Sequence, residues 1–160
     1  MRRRYLLTAG SVAIGGIWLS QYLPERSQAD SLIEAKFEIN KTDDEWRKIL
    51  TRQQYDVLRR EGTEAPGSSP LLEEHNVGNF ACAGCNLPLF SSKTKYESGT
   101  GWPSFYASIE NAIATRRDGS RLEVHCRRCG GHLGHVFDDG PQPTGKRYCM
   151  NGAALKFIAG

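Results

Sequence analysis

Four of the chain's five cysteines stand in two Cys-x-x-Cys pairs, Cys82 with Cys85 and Cys126 with Cys129, and no other feature limits the fold as much. Each pair sits in a knuckle-like turn, Cys-Ala-Gly-Cys and Cys-Arg-Arg-Cys-Gly. Two such knuckles supply four thiolates, the donor set of a tetrahedral Zn²⁺ site. One Cys-x-x-Cys alone would fit a redox pair. Two of them, with small residues nearby, point to one structural zinc per chain. Four sulfurs fill the coordination shell, so such a site is closed and offers a substrate no position. Disulfides are the competing reading, because an exported protein meets an oxidising compartment and four cysteines allow three connectivities.

The rest of the pattern is that of an antiparallel β domain with small helices at its start. Short apolar pieces separated by turn residues run through the second half: Phe80-Ala81, Leu87 to Phe90, Trp102 to Ile109, Leu122 to Cys126, His135 to Phe137 and Leu155 to Ile158. Asp118-Gly119 is a hairpin signal between Ile113-Ala114-Thr115 and Leu122-Glu123-Val124. Ahead of these pieces, Thr42-x-x-Glu45 and Thr51-x-x-Gln54 are capping-box patterns. Trp46, Ile49 and Leu50, then Tyr55 and Leu58, recur at helical spacing. They predict helices over 43–50 and 52–60 that pack an apolar face on the main body, with Gly62 placed to end the second. Glycine and proline make the stretch from Glu61 to Asn79 a loop.

The 160 residues amount to one domain. Arg2, Arg3, Arg4 and Arg26 against Glu25 account for the whole net charge of +3, and the residues after Ala29 carry 17 basic and 17 acidic side chains. That balance argues against nucleic-acid binding. Residues 1–29 have the form of a targeting segment: arginines, an apolar run from Leu6 to Leu19, Pro24, and small residues Ser27 and Ala29 at signal-peptidase spacing. The run is short for a membrane span, which needs about 20 apolar residues. Arg2-Arg3-x-Tyr5-Leu6 resembles a twin-arginine export signal, a route that carries proteins already folded. The expectation is export to a periplasm or equivalent lumen, with 30–41 as a tether and 42–160 as the functional domain, not embedded in a membrane. An ordinary Sec signal and an uncleaved N-terminal anchor are the alternatives.

With four thiols committed to metal, Cys149 is the one left over. A buried structural thiol is the bland reading. Against it, Arg147 and Asn151 flank Cys149 at two residues either side, and in a strand period two puts all three on one face. A nearby cation raises the thiolate fraction available for attack. Gly130-Gly131-His132-Leu133-Gly134-His135 adds two imidazoles in a glycine-rich turn, and histidine can donate a proton near neutral pH.

Taken in order, Cys82-x-x-Cys85, Gly99-Thr-Gly-Trp102-Pro-Ser-Phe105, Cys126-x-x-Cys129-Gly-Gly-His132-Leu-Gly-His135-Val-Phe137, Gly140-Pro and Arg147-Tyr-Cys149-x-Asn151 resemble the B-type peptide-methionine (R)-S-oxide reductases. The likeness runs from about Thr42 to Phe157. It implies a mainly β fold of two antiparallel sheets, with zinc held at the end far from the active site. It implies that Cys149 attacks the sulfur of a methionine-R-sulfoxide in an oxidised protein and is left as a sulfenic acid. His135, helped by His132 and Asn151, would supply and orient the proton, and Arg147 would favour the thiolate. Trp102, completed by Phe137, would form an apolar wall against the substrate methyl group. An external thiol, thioredoxin-like or other, would restore the enzyme.

Two positions depart from that pattern. Many members carry a resolving cysteine within Ser-Gly-Cys-Gly-Trp, where this chain has Ser98-Gly99-Thr100-Gly101-Trp102. Thr100 cannot form a disulfide, which predicts a one-cysteine enzyme reduced directly by an external thiol. Gly152 stands where serine is common, and is expected to loosen the backbone beside the nucleophile. A non-catalytic zinc-ribbon-like binding module and a thiol peroxidase are the competing functions.

Overall fold

The computed structural model describes residues 37–160; the readings on the leader, residues 1–29, and on 30–36 of the tether lie outside the described residues. Both helices begin at the expected capping threonines. In α1 (Asp43–Ile49) the Thr42 hydroxyl accepts the Glu45 N–H at 3.3 Å and the Glu45 carboxylate accepts the Thr42 N–H at 2.7 Å. Thr51 and Gln54 repeat the exchange at the start of α2 (Arg52–Arg60). Its end differs from the expectation. Glu61, not Gly62, takes the left-handed conformation (φ 56°), a strained choice for a residue with a side chain. The Glu61 carboxylate has a reason to be there, since it pairs with Arg116 on the main body.

The helices sit on the knuckles. Trp46 and Leu58 are almost fully buried. A Cβ at Gly84, inside the first knuckle, would touch Trp46 at 3.5 Å, and one at Gly131, just after the second, would press on Leu58 at 2.9 Å. Arg59 stacks on Trp46 at 5.0 Å and donates to the Cys129 carbonyl at 3.0 Å. Before α1, the Ile39 N–H bonds to the Arg128 carbonyl at 3.0 Å, so the chain ahead of the helices also rests on the second knuckle.

The rest is β structure, in two antiparallel sheets as expected. One has the order β2 (Pro88–Ser91), β1 (Gly78–Cys82), β9 (Leu155–Ala159). The other runs β3 (Lys95–Tyr96), β4 (Ser104–Phe105), β8 (Arg147–Met150), β7 (His132–Phe137), β6 (Arg121–Cys126), β5 (Ile113–Asp118). The β5–β6 hairpin turns one residue later than its signal: Asp118 pairs with Arg121, and Gly119 (φ 57°) opens the two-residue loop. Between the sheets lies an aromatic core, with Phe105 stacked on Phe90 at 4.4 Å and edge-on to Phe80 at 4.9 Å. Tyr148 meets Phe90 at 5.8 Å, and Met150, Val124 and Leu133 are fully buried. Among the described residues no helix is long and apolar enough to cross a membrane.

His132 was expected in a turn; it is the first residue of β7. Pairing along β6 and β7 slips between Val124 and His125, so that His125 faces His132 while Val124 faces Gly134. Leu133 is therefore the extra residue of a bulge. Strict alternation would put residues three apart on opposite faces. The bulge brings His132 and His135 together, with ring centroids 5.4 Å apart.

Candidate active site and metal centre

At the helix-covered end, the Sγ atoms of Cys82, Cys85, Cys126 and Cys129 all lie within 4.8 Å of one another. Cys82 and Cys129 are 3.7 Å apart and Cys85 and Cys126 3.5 Å. A disulfide would need about 2.05 Å, and all five cysteines are free. Sulfurs about 2.3 Å from a tetrahedral zinc stand about 3.8 Å apart, so the cluster fits such an ion. Hydrogen bonds among the thiols, those with Cys126 above all, push Cys82 up and hold Cys85 down.

Cys149 belongs to a different neighbourhood of the same sheet. On β8 it pairs with His135 of β7 on one side and Ser104 of β4 on the other. The rung extends to Glu123 and Arg116 in one direction and Tyr96 in the other. Six polar or ionisable residues thus cross the six-stranded sheet in one row, on the face turned away from the aromatic core. Gly134 permits the close pairing, because a Cβ there would lie 2.1 Å from the Cys149 carbonyl oxygen. Above the row is a cavity of about 130 Å³ lined by Cys149, His135, Trp102, Phe137, Asn151, Thr63, Arg121 and Gly134. At about 30 Å³ per water, that volume suits one short side chain.

The predicted residues meet here, but not all in the expected posture. His135 lines the cavity, and its Nε2 is 2.8 Å from Asp118 Oδ2. Asp118 is held below the usual carboxylate range by His135 first and by Arg121 as well, so it accepts and the proton sits on Nε2. His132 does not line the cavity. It is buried behind His135, with Nδ1 2.7 Å from Glu123 and no hydrogen-bond partner for Nε2. Burial pushes Glu123 up, yet the hydrogen bonds from His132 and Arg116 prevail and hold it below its ordinary value.

Arg147 was expected to lend its charge to Cys149. Its guanidinium makes two 2.8 Å bonds to Asp139 and lies 4.4 Å over the Phe137 ring. The Asp139 bonds raise its pKa first, and the charge of nearby Cys149 adds to the rise. What it does most visibly is fix the Phe137 wall. The Asn151 amide is also committed: Oδ1 accepts the Glu64 N–H at 3.0 Å and Nδ2 donates to the Leu133 carbonyl at 3.1 Å. It therefore acts as a strut between loop and strand. Trp102 lines the cavity and donates from Nε1 to the Glu64 carbonyl at 3.2 Å.

Glu64 is a residue that sequence reasoning missed. Nearly buried, it accepts the Gly152 and Ala153 N–H groups at 2.5 and 2.8 Å. The backbone after Cys149 is consequently clamped, not loosened as expected of Gly152. The glycine has a steric cause: a Cβ at 152 would lie 1.9 Å from Ser69 Oγ, so Ser69 fills the space a larger residue would occupy. Glu123, Asp118, Arg121 and Thr63 were missed too. Glu123 alone carried a signal, as an acidic residue between Leu122 and Val124 in a predicted strand. Thr100, noted only for not being cysteine, has its hydroxyl 3.8 Å from Cys149 Sγ.

With the geometry in place, comparison with known proteins is decisive. A family model for the SelR domain matches residues 50–159. The "Peptide methionine sulfoxide reductase MsrB" of Leptospira interrogans serogroup Icterohaemorrhagiae serovar Lai is 50% identical over 126 residues, covering 76% of this chain and 96% of the relative. That of Methanosarcina barkeri (strain Fusaro) is 53% identical over 124 residues, covering 74% of this chain and 87% of the relative. The "Peptide methionine sulfoxide reductase B1, chloroplastic" of Arabidopsis thaliana is 50% identical over 123 residues, covering 74% of this chain and 61% of the relative. This chain belongs to the MsrB family of SelR-domain proteins.

Proposed function

We propose that this protein reduces methionine-R-sulfoxide in oxidised proteins back to methionine through a sulfenic acid on Cys149. The observation that carries the reading is the cavity that sets Cys149 and His135 beside the apolar walls of Trp102 and Phe137, in a member of a family whose named relatives are peptide methionine sulfoxide reductases.

The Cys149 thiolate attacks the sulfoxide sulfur while His135 gives a proton to the oxygen. The S–S bond made by the attack then breaks as the hydroxyl passes from the substrate sulfur to the Cys149 sulfur: methionine leaves with the electron pair, and the cysteine is oxidised to Cys–S–OH as the substrate sulfur is reduced. Asp118 orients the His135 ring, while Glu123 holds His132 behind it. Trp102 and Phe137 receive the methyl group and keep water from the reacting sulfur.

No other thiol is free to resolve the sulfenic acid, because the remaining four belong to the knuckle cluster. An external thiol therefore attacks it, releasing water and leaving a mixed disulfide, and a second thiol returns Cys149 to its reduced form. The knuckle sulfurs hold one structural zinc. Residues 1–29 direct export, most simply by the twin-arginine route, and a mature N-terminus at Asp30 would support cleavage.

Assaying the purified protein with dithiothreitol on R-sulfoxide, S-sulfoxide and hydrogen peroxide separates the alternatives. The R epimer alone should be turned over. Equal use of both epimers, or of peroxide only, would overturn the reading, and no turnover at all would favour a zinc-ribbon-like binding module.

A further inference from the structure

Around Cys149 each neighbouring cation already has a carboxylate. Arg147, on the same strand, is paired with Asp139, and Arg121 at the cavity rim with Asp118. Asp118 also takes the Nε2 proton of His135, which faces Cys149 from β7. Tyr96 on β3 is half-buried, and its hydroxyl has no partner. Among the described residues, the one side-chain hydrogen bond made by the Cys149 sulfur is to Thr100 Oγ1, at 3.8 Å.

Thr100 is the first link of a chain of hydroxyls. Its Oγ1 is 2.9 Å from Ser98 Oγ, Ser98 Oγ is 2.7 Å from Ser104 Oγ, and Ser104 Oγ is 3.1 Å from the Trp102 carbonyl oxygen. Each hydroxyl has one proton to give, so the chain can run in two directions. In one, Ser104 donates to the Trp102 carbonyl, Ser98 to Ser104 and Thr100 to Ser98, and Thr100 accepts the proton of a Cys149 thiol. In the other, Ser104 turns from the Trp102 carbonyl and donates to Ser98, Ser98 to Thr100 and Thr100 to the Cys149 sulfur, which must then be a thiolate. Rotating three hydroxyls converts one arrangement into the other with no movement of heavy atoms.

We propose that Thr100 is a catalytic residue whose hydroxyl, backed by Ser98 and Ser104, donates the hydrogen bond that holds the Cys149 thiolate. The proposal rests on Cys149 as the nucleophile and gives the residue in the resolving position a task other than resolving. A hydroxyl can accept from the thiol and donate to the thiolate. The methyl group that Thr100→Val puts in its place can do neither, while leaving the side-chain volume almost unchanged.

The test is the alkylation rate of Cys149 by iodoacetamide in the zinc-loaded full chain, read by mass spectrometry of its peptide so that the metal-held cysteines do not contribute. At pH 7 Thr100→Val should react about tenfold more slowly than the wild type, the size of one hydrogen bond to a charged group. Thr100→Ser should recover the rate. The deficit should close near pH 10, where an ordinary thiol ionises unaided. Ser98→Ala, which removes only the backing hydroxyl, should lose about threefold, and it carries the test if Thr100→Val does not fold. Equal rates at pH 7, a deficit that persists at pH 10, or no recovery in Thr100→Ser would each overturn the proposal. Because alkylation needs no sulfoxide, the result stands apart from whether the protein reduces one.

Discussion

The molecule holds cysteine in two settings, and the contrast shows what decides a thiol's task. At the knuckle end, each sulfur has other sulfurs for neighbours, and α1 and α2 close over the turns. Three of the four cysteines are buried, and four donors around one point leave no open ligand position. On β8, the Cys149 sulfur has a hydroxyl, an imidazole and an apolar wall around it, and a cavity opens above. Both settings share β6 and β7: Cys126 closes β6, and β7 begins three residues after Cys129. The knuckle end is thus the anchor from which the bulge at Leu133 and the two histidines are hung.

The widest separation of the two settings comes from paired substitutions. Cys149→Ser should abolish R-sulfoxide reduction, by more than about a thousandfold, while zinc content and the thermal melt stay as in the wild type. Cys126→Ser should lose zinc and unfold, because an incomplete donor set no longer joins the knuckles. Elemental analysis and melting curves distinguish them. If Cys126→Ser kept its fold and its activity, the knuckles would not be the anchor.

Glu123 ties the two regions together, and its removal should show in both stability and rate. Glu123→Gln keeps the shape but loses the charge-assisted bonds to His132 and Arg116, which should cost about 1.5–3 kcal/mol in a urea melt and lower kcat with it. The sign of the pH dependence follows from its depressed pKa. The stability Glu123 contributes is fully present above its ordinary value of 4.5 and is lost as pH falls through the lower folded value. Glu123→Gln should lack that acid-side loss.

A smaller effect probes the clamp behind the nucleophile. Gly152→Ser should destabilise by about 1–3 kcal/mol, because its Cβ would collide with Ser69. Adding Ser69→Gly should recover most of that, and a double-mutant cycle in urea measures the coupling. Simple additivity would mean that the contact is not the reason for the glycine.

Much of the frame was legible before any coordinates. The cysteine pairs, the two capping boxes and the Asp118-Gly119 signal report local chemistry, and each lies within a residue or so of where the structure has it. The site was legible as a set of residues but not as a set of postures. Arg147 and Asn151 were placed on the Cys149 face by period two, yet sequence spacing says nothing about Asp139 or the Glu64 backbone, which claim their polar atoms. His132 joins His135 only through a bulge, which no alternation rule anticipates. Glu64 sits 87 residues before Asn151 and reaches it through tertiary folding alone. Gly152 looked like added freedom because its tenant, Ser69, is remote in sequence.

The central claim is that Cys149 acts alone. One turnover of zinc-loaded protein with a methionine-R-sulfoxide peptide, with no reductant present, tests it by mass spectrometry. The account predicts one methionine formed per chain, Cys149 trapped by dimedone as a sulfenic acid, and zinc retained. A disulfide between Cys149 and any knuckle cysteine, with zinc released, would contradict it.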